Sequence, residues 1–168
     1  MPLGQRSLIV TASCLLLASA AFGAPGSEGT DSGYLFLGPH ETTRTKTVKE
    51  GVTLVATHQS GVIVSGNPES PWNHATVFAQ ATLVKDDQGN VLKEVALIET
   101  TDPDGDMTLG FLWRPAGEEG SFQFAVGTGK WEGITGIGVT RGMLRERTDD
   151  HFMLNSELHW RIREGGTR

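Results

Sequence analysis

Apolar and polar residues alternate with period two along much of the chain. Phe152, Leu154, Leu158, Trp160 and Ile162 share one parity, interrupted by Ser156, while Met153, Asn155, Glu157, His159 and Arg161 share the other. A helix would scatter these residues around its circumference, whereas a strand sorts them onto two faces. Met107, Leu109, Phe111 and Trp113 repeat the pattern, as do Phe122, Phe124 and Val126. Val52, Leu54 and Ala56 open another stretch, which Val62 and Val64 continue after Gly61. No stretch of about 12 residues keeps the i, i+3, i+4, i+7 spacing of an amphipathic helix. Turn residues separate the strands: Asp87-Gln88-Gly89-Asn90 joins Ala75–Lys85 to Val91–Glu99, and Asp102-Pro103-Asp104-Gly105-Asp106 leads into Met107–Trp113. Pro115–Gly120 and Thr148-Asp149-Asp150 join the later pairs. About eight strands in a meander predict an all-β antiparallel barrel, since closure removes exposed edges; a β-sandwich is the alternative.

The first residues follow a different rule. Arg6 precedes an apolar run from Leu8 to Phe22, followed by small residues around Ala18-Ser19-Ala20 and Ala21-Phe22-Gly23. A basic start, a short apolar stretch and a small-residue cleavage site predict a signal peptide over residues 1–23, too short for a membrane span. Cys14 lies inside the apolar run rather than at its end, which argues against a lipid anchor. Residues 24–33, small and polar, read as a flexible leader, and 34–164 as a single barrel domain. The expected location is secreted or periplasmic, with no stable membrane insertion after cleavage.

Composition narrows the function. The 168 residues carry 14 Lys plus Arg against 20 Asp plus Glu, a net charge of −6. Removing the segment with Arg6 leaves 13 against 20, or −7, so nucleic acid is not an expected partner. The single Cys leaves with the same segment, so the mature core must hold without disulfides. There is no G-x-S-x-G, no P-loop and no dinucleotide fingerprint, which disfavours serine hydrolases and nucleotide enzymes. His40, His58, His74, His151 and His159 have no short ligand spacing, and no metal site or cofactor is predicted. Asp102, Asp104 and Asp106 imitate the start of a calcium loop, but Pro103 follows the first, glycine stands fourth and Trp113 falls twelfth. An Asp-Pro-Asp-Gly turn explains them better.

The most distinctive segment is Phe124–Gly138, FAVGTGKWEGITGIG, a Gly-Thr-Gly turn leading into a strand whose glycines admit close neighbours. It resembles the G-x-G-x-(aromatic)-x-G-x-x-G signature of allene oxide cyclase barrels and the related dirigent proteins, over about Ser121–Arg163. The resemblance implies an eight-stranded, lipocalin-like barrel whose apolar cavity binds a reactive or greasy small molecule and guides its cyclisation, isomerisation or coupling. It also implies a homo-oligomer, often a trimer. The family's catalytic residues lie mainly in earlier strands that do not align, so none is carried over.

Among this chain's own residues, Glu99 ends an apolar strand and shares the parity of Val95 and Leu97. It is therefore the candidate inward carboxylate for acid–base work at a barrel mouth. Glu157 and His159 share a parity and can meet, on a face whose polarity suits the solvated side. The four tryptophans, Trp72, Trp113, Trp131 and Trp160, read as barrel core or plug; the functional reading sets Trp113 with Phe111, Phe122 and Phe124 around a ligand. The expected function is binding of a hydrophobic small molecule in an apolar cavity of a few hundred Å³, with isomerase- or cyclase-like chemistry. The alternative is a packed, non-catalytic barrel acting through its surface.

Overall fold

A computed structural model describes residues 26–39, 41–144 and 152–163. The predicted signal segment, His40, His151 and the predicted Thr148–Asp150 turn lie outside them. Nine strands follow one another as β1 (Glu28–Leu37), β2 (Glu41–Lys49), β3 (Val52–Ser65), β4 (Thr76–Lys85), β5 (Val91–Thr101), β6 (Met107–Pro115), β7 (Gly120–Gly127), β8 (Ile134–Leu144) and β9 (Phe152–Ile162). A single 3-10 turn, Gly129–Trp131, separates β7 from β8. Every strand pairing is antiparallel, and β1 pairs with both β9 and β3. That double pairing closes β1 and β3–β9 into an eight-stranded barrel and excludes two separate sheets.

β2 is the additional strand. The long β3 divides its partners: its first half, Val52–His58, faces β2, and its last residues, Gly61–Ser65, face β1. Every residue of β2 is exposed. Having no buried face, β2 leaves no apolar alternation in the sequence. Its free edge carries Arg44, Lys46 and Lys49, the charged residues that discourage edge-to-edge association.

The barrel also claims residues that composition alone assigned to a leader. Glu28–Gly33 form the first part of β1 and pair with Arg161–Ser156 of β9. Their inward positions are Gly29, Asp31 and Gly33, which give no apolar signal. Space and hydrogen bonding explain the choice: a Cβ on Gly29 would lie 2.6 Å from the Trp160 ring. Asp31 accepts hydrogen bonds from Ser65 Oγ at 2.6 Å and Ser70 Oγ at 2.5 Å, joining β1 to β3 and to the loop after it.

The inward set is Val77, Ala79, Ala81 and Leu83 on β4, Ala96 on β5, Leu112 on β6, Phe122 and Phe124 on β7, and Leu154, Trp160 and Ile162 on β9. Large residues cross the narrow lumen only where the facing strand is small. Phe122 lies over Gly110, where an added Cβ would meet the ring at 2.2 Å. One end is plugged by aromatics. Trp72, from the β3–β4 connection, stacks on Trp131 with centroids 4.2 Å apart and on Phe124 at 5.7 Å, while Trp160 meets Trp131 edge-on at 5.4 Å. Three of the four tryptophans are therefore core, as the packing reading expects.

Candidate functional site

Strand parity places the predicted site residues on two different sides of the wall. Phe122 and Phe124 are inward, 9% and 6% exposed, and line the lumen. Phe111 and Trp113 point outward, 54% and 47% exposed. Glu99 is also exposed, on the outward parity of Val95. The bulkier apolar residues Val95, Phe111 and Trp113 of β5 and β6 thus face solvent, and Glu94, Ala96, Ile98, Leu112 and Arg114 lie on the inner parity. Physical crowding causes the inversion, because the side chain of Phe122 fills the space that a bulky residue at Gly110 would need. Glu157 and His159 do meet, at 3.0 Å, on the outer face beside Arg141.

The carboxylate that lines the lumen cavity is Glu94. It is 6% exposed and forms an ion pair with Arg114, its register partner on β6. The next inward position around the wall is Gly120, then its register partner Thr140 on β8, then Ser156 on β9. These residues form a polar band across the lumen, whose lining also includes the buried polar residues Gln59 and Thr100. Gly120 is required there: a Cβ would stand 2.3 Å from Thr140 Oγ1 and 3.5 Å from Arg114 Cβ. Thr140 Oγ1 is buried without a hydrogen-bond partner among the described residues, and so is Trp72 Nε1. A lone charge sharing parity with uncharged residues, Glu94 with Ala96 and Ile98 or Arg114 with Gly110 and Leu112, is the signal in the sequence that points to this band.

The free space in the lumen is smaller than the sequence suggests. It measures about 70 Å³ and is bounded by the polar band, by Leu35, Ile98 and Leu154, and by Trp72, Phe122 and Phe124. The expected few hundred Å³ are taken up by the aromatic plug. What is left holds about two waters, or a small organic group.

Around this cavity the chain superposes on a pterocarpan synthase dirigent protein with a TM-score of 0.54. The match covers 84% of this chain and 90% of that one at 12% sequence identity. The chain folds as a dirigent-like barrel. No protein-family profile matches it, and no curated protein matches its sequence. The structural match lies on the dirigent side of the resemblance seen in Phe124–Gly138.

In this dirigent-like barrel the Asp102–Asp106 segment is the turn its sequence suggests. Asp102 Oδ1 accepts the N–H groups of Asp104 at 2.8 Å and Asp106 at 3.1 Å. Its other oxygen accepts the Trp131 indole N–H at 2.7 Å and lies 3.0 Å from Lys130 Nζ. The turn thereby clasps Gly129-Lys130-Trp131, the centre of the glycine-rich segment, and fastens the plug. Gly129 makes the contact with φ of 54° directly against Asp106, where a side chain would collide.

This latch has a pH signature. Burial acts to raise the Asp102 pKa, but the Lys130 ammonium, the Trp131 indole N–H and the Asp104 N–H together hold it below the ordinary 3.8. Burial likewise acts to lower Lys130, and its bonds to Asp104 and Asp102 carry it above 10.5. A lowered acid contributes stability above its unfolded pKa and loses it as pH falls through the folded one. A raised base contributes below its unfolded pKa and loses it as pH rises through the folded one. The melting temperature is expected to fall below about pH 4 and above about pH 10 through these groups. Melting curves of Lys130→Met should lack the alkaline component; an unchanged alkaline limb would remove Lys130 from the latch.

Proposed function

We propose that this dirigent-like barrel takes a small, largely hydrophobic molecule, or the head of one, into its lumen and guides its isomerisation or cyclisation. The observation that carries the reading is the Glu94–Arg114 pair buried in the lumen beside the unpartnered Thr140 hydroxyl. A buried ion pair is at best weakly stabilising compared with apolar residues of the same volume, so packing alone gives no reason for it. Glu94 is the one carboxylate among the described residues lining the cavity, and it takes the acid–base role that parity had suggested for Glu99. The fold likeness supports the reading.

A second reading has its own support. Val95, Phe111, Trp113, Val126 and Ile137 are large apolar side chains left 47–60% exposed on the outer wall of β5–β8. A barrel that works through that wall, or self-associates there, needs no ligand. Native mass spectrometry of protein taken from its source separates the two. On the lumen reading a bound small molecule is present, is lost in Ala79→Leu, which fills the cavity, and is kept in Phe111→Ser. Loss in Phe111→Ser with retention in Ala79→Leu would favour the outer wall.

A further inference from the structure

The outer wall of β5 and β6 carries a charge pattern that one copy of the chain leaves unsatisfied. Lys93, Val95, Leu97 and Glu99 are successive outward positions of β5. Lys93 and Glu99 are exposed and form no ion pair among the described residues. Six residues of strand set them about 20 Å apart, too far to meet each other. Between them lie two in-register apolar pairs, Val95 with Trp113 and Leu97 with Phe111. Phe111 and Trp113 each leave about 100 Å² uncovered. Val126 on β7 and Ile137 on β8 extend this surface, so the apolar residues are contiguous rather than scattered singly. A contiguous exposed patch of a few hundred Å² marks an interaction site.

The pattern cation–apolar–apolar–anion is its own complement when reversed. Consider a two-fold axis lying in the interface and crossing the strands between the Val95–Trp113 and Leu97–Phe111 rows. It reverses strand direction and keeps strand order, so β5 packs on β5 and β6 on β6. Lys93 then faces the partner's Glu99, Val95 faces the partner's Leu97, and Trp113 faces the partner's Phe111. Symmetry makes each of these contacts twice. An axis running along β5 would instead set Lys93 against the partner's Lys93, which like-charge repulsion disfavours. A three-fold ring joins unlike surfaces and gives no reason for a face that complements itself.

We propose that this face is an isologous interface, at which two copies of the chain pack β5–β6 on β5–β6 in antiparallel register. The proposal goes beyond the lumen reading and stands without it, since none of these side chains faces the cavity. The patch and its charged ends suit the small end of specific interfaces, about 600 Å² per partner, so the dimer should be weak and concentration-dependent.

Sedimentation velocity of the full chain, from about 1 μM to about 200 μM, should show a monomer–dimer equilibrium. Glu99→Lys turns both cross-interface pairs into repulsions and should weaken association at least tenfold, and Lys93→Glu should do the same. The double variant Lys93→Glu with Glu99→Lys restores opposite charges and should return the dissociation constant to within about threefold of the parent. Both positions are exposed, and circular dichroism checks that each variant is folded. Acrylamide quenching places the interface without any substitution. Trp113 is 47% exposed, while Trp72, Trp131 and Trp160 are at most 5% exposed, so quenching reports mainly Trp113. Quenching should fall as the dimer fills. A monomer throughout the concentration range would overturn the proposal and leave the face to a different protein or to a lipid surface. A trimer would overturn it, as would a dimer whose quenching does not change. Single reversals without effect, or a folded double variant that fails to recover, would overturn the antiparallel register.

Discussion

Trp131→Ala is expected to lower stability by about 3–5 kcal/mol, the cost of removing a fully buried aromatic. Trp131 has no exposed surface, stacks on Trp72, meets Trp160 edge-on and donates its indole N–H to Asp102. Its loss opens the plug from three sides and leaves the Asp102 oxygen short of a donor. In a domain stabilised by about 5–15 kcal/mol in total, that change brings the fold close to its limit. The melting temperature should drop by roughly 10 °C or more for a chain of this size. Trp131→Phe keeps most of the ring contact and loses only the hydrogen bond, so it should cost about 1–3 kcal/mol. Urea unfolding of both variants checks the order. A Trp131→Ala protein within 1 kcal/mol of the parent would mean that the plug does not hold this end of the barrel.

The polar band should respond differently to single and to double replacement. Glu94→Ala strands the Arg114 guanidinium beside the lumen, and the expected loss is about 3 kcal/mol, the lower end for a broken buried pair. The lower end applies because the Arg114 side chain retains 19% of its exposure. Replacing both partners, Glu94→Leu with Arg114→Met, removes the charges together and should leave stability within about 1 kcal/mol of the parent or improve it. Ligand occupancy should vanish in the same double variant. Chemical denaturation and native mass spectrometry on the three proteins give both readouts. A double variant that keeps its ligand would make the pair a structural feature and remove the main support for a lumen site.

These residues show how far local patterning reaches. Alternation along Leu154–Ile162 and Phe122–Phe124 was enough to sort each strand into two faces, and there the apolar face is the inner one, while past the bulge at Ala125, Val126 turns outward. On β5 and β6 the same alternation exists, but the larger apolar residues, Val95, Phe111 and Trp113, face solvent. Period two reports that a strand has two faces; it does not say which one the barrel encloses. The lumen is narrow, and Phe122 already crosses it above Gly110, so β6 can present only small or slender groups inward. Glu99 was misplaced for that reason, and Glu94, five residues earlier and of opposite parity, became the inward acid. β2 and the start of β1 escaped notice for a related reason. One has no buried face, and the other buries glycines and an aspartate in place of apolar side chains.

What the sequence determined by itself was an all-β antiparallel meander with turns at Asp87–Asn90 and Asp102–Asp106, since those depend on neighbours in the chain: alternation, glycine and Asp-Gly turns. The glycine-rich segment was legible as a place of close approach, and Gly127, whose added Cβ would stand 2.3 Å from the Trp131 carbonyl oxygen, bears that out. Only the tertiary structure decided the rest. Closure through β1 and β3, the inward parity of β5 and β6, and the row Glu94–Arg114–Gly120–Thr140–Ser156 all join residues far apart in sequence. Their arrangement follows from how much side-chain volume a lumen ringed by eight strands can hold, a quantity shared by all the strands and written in none of them.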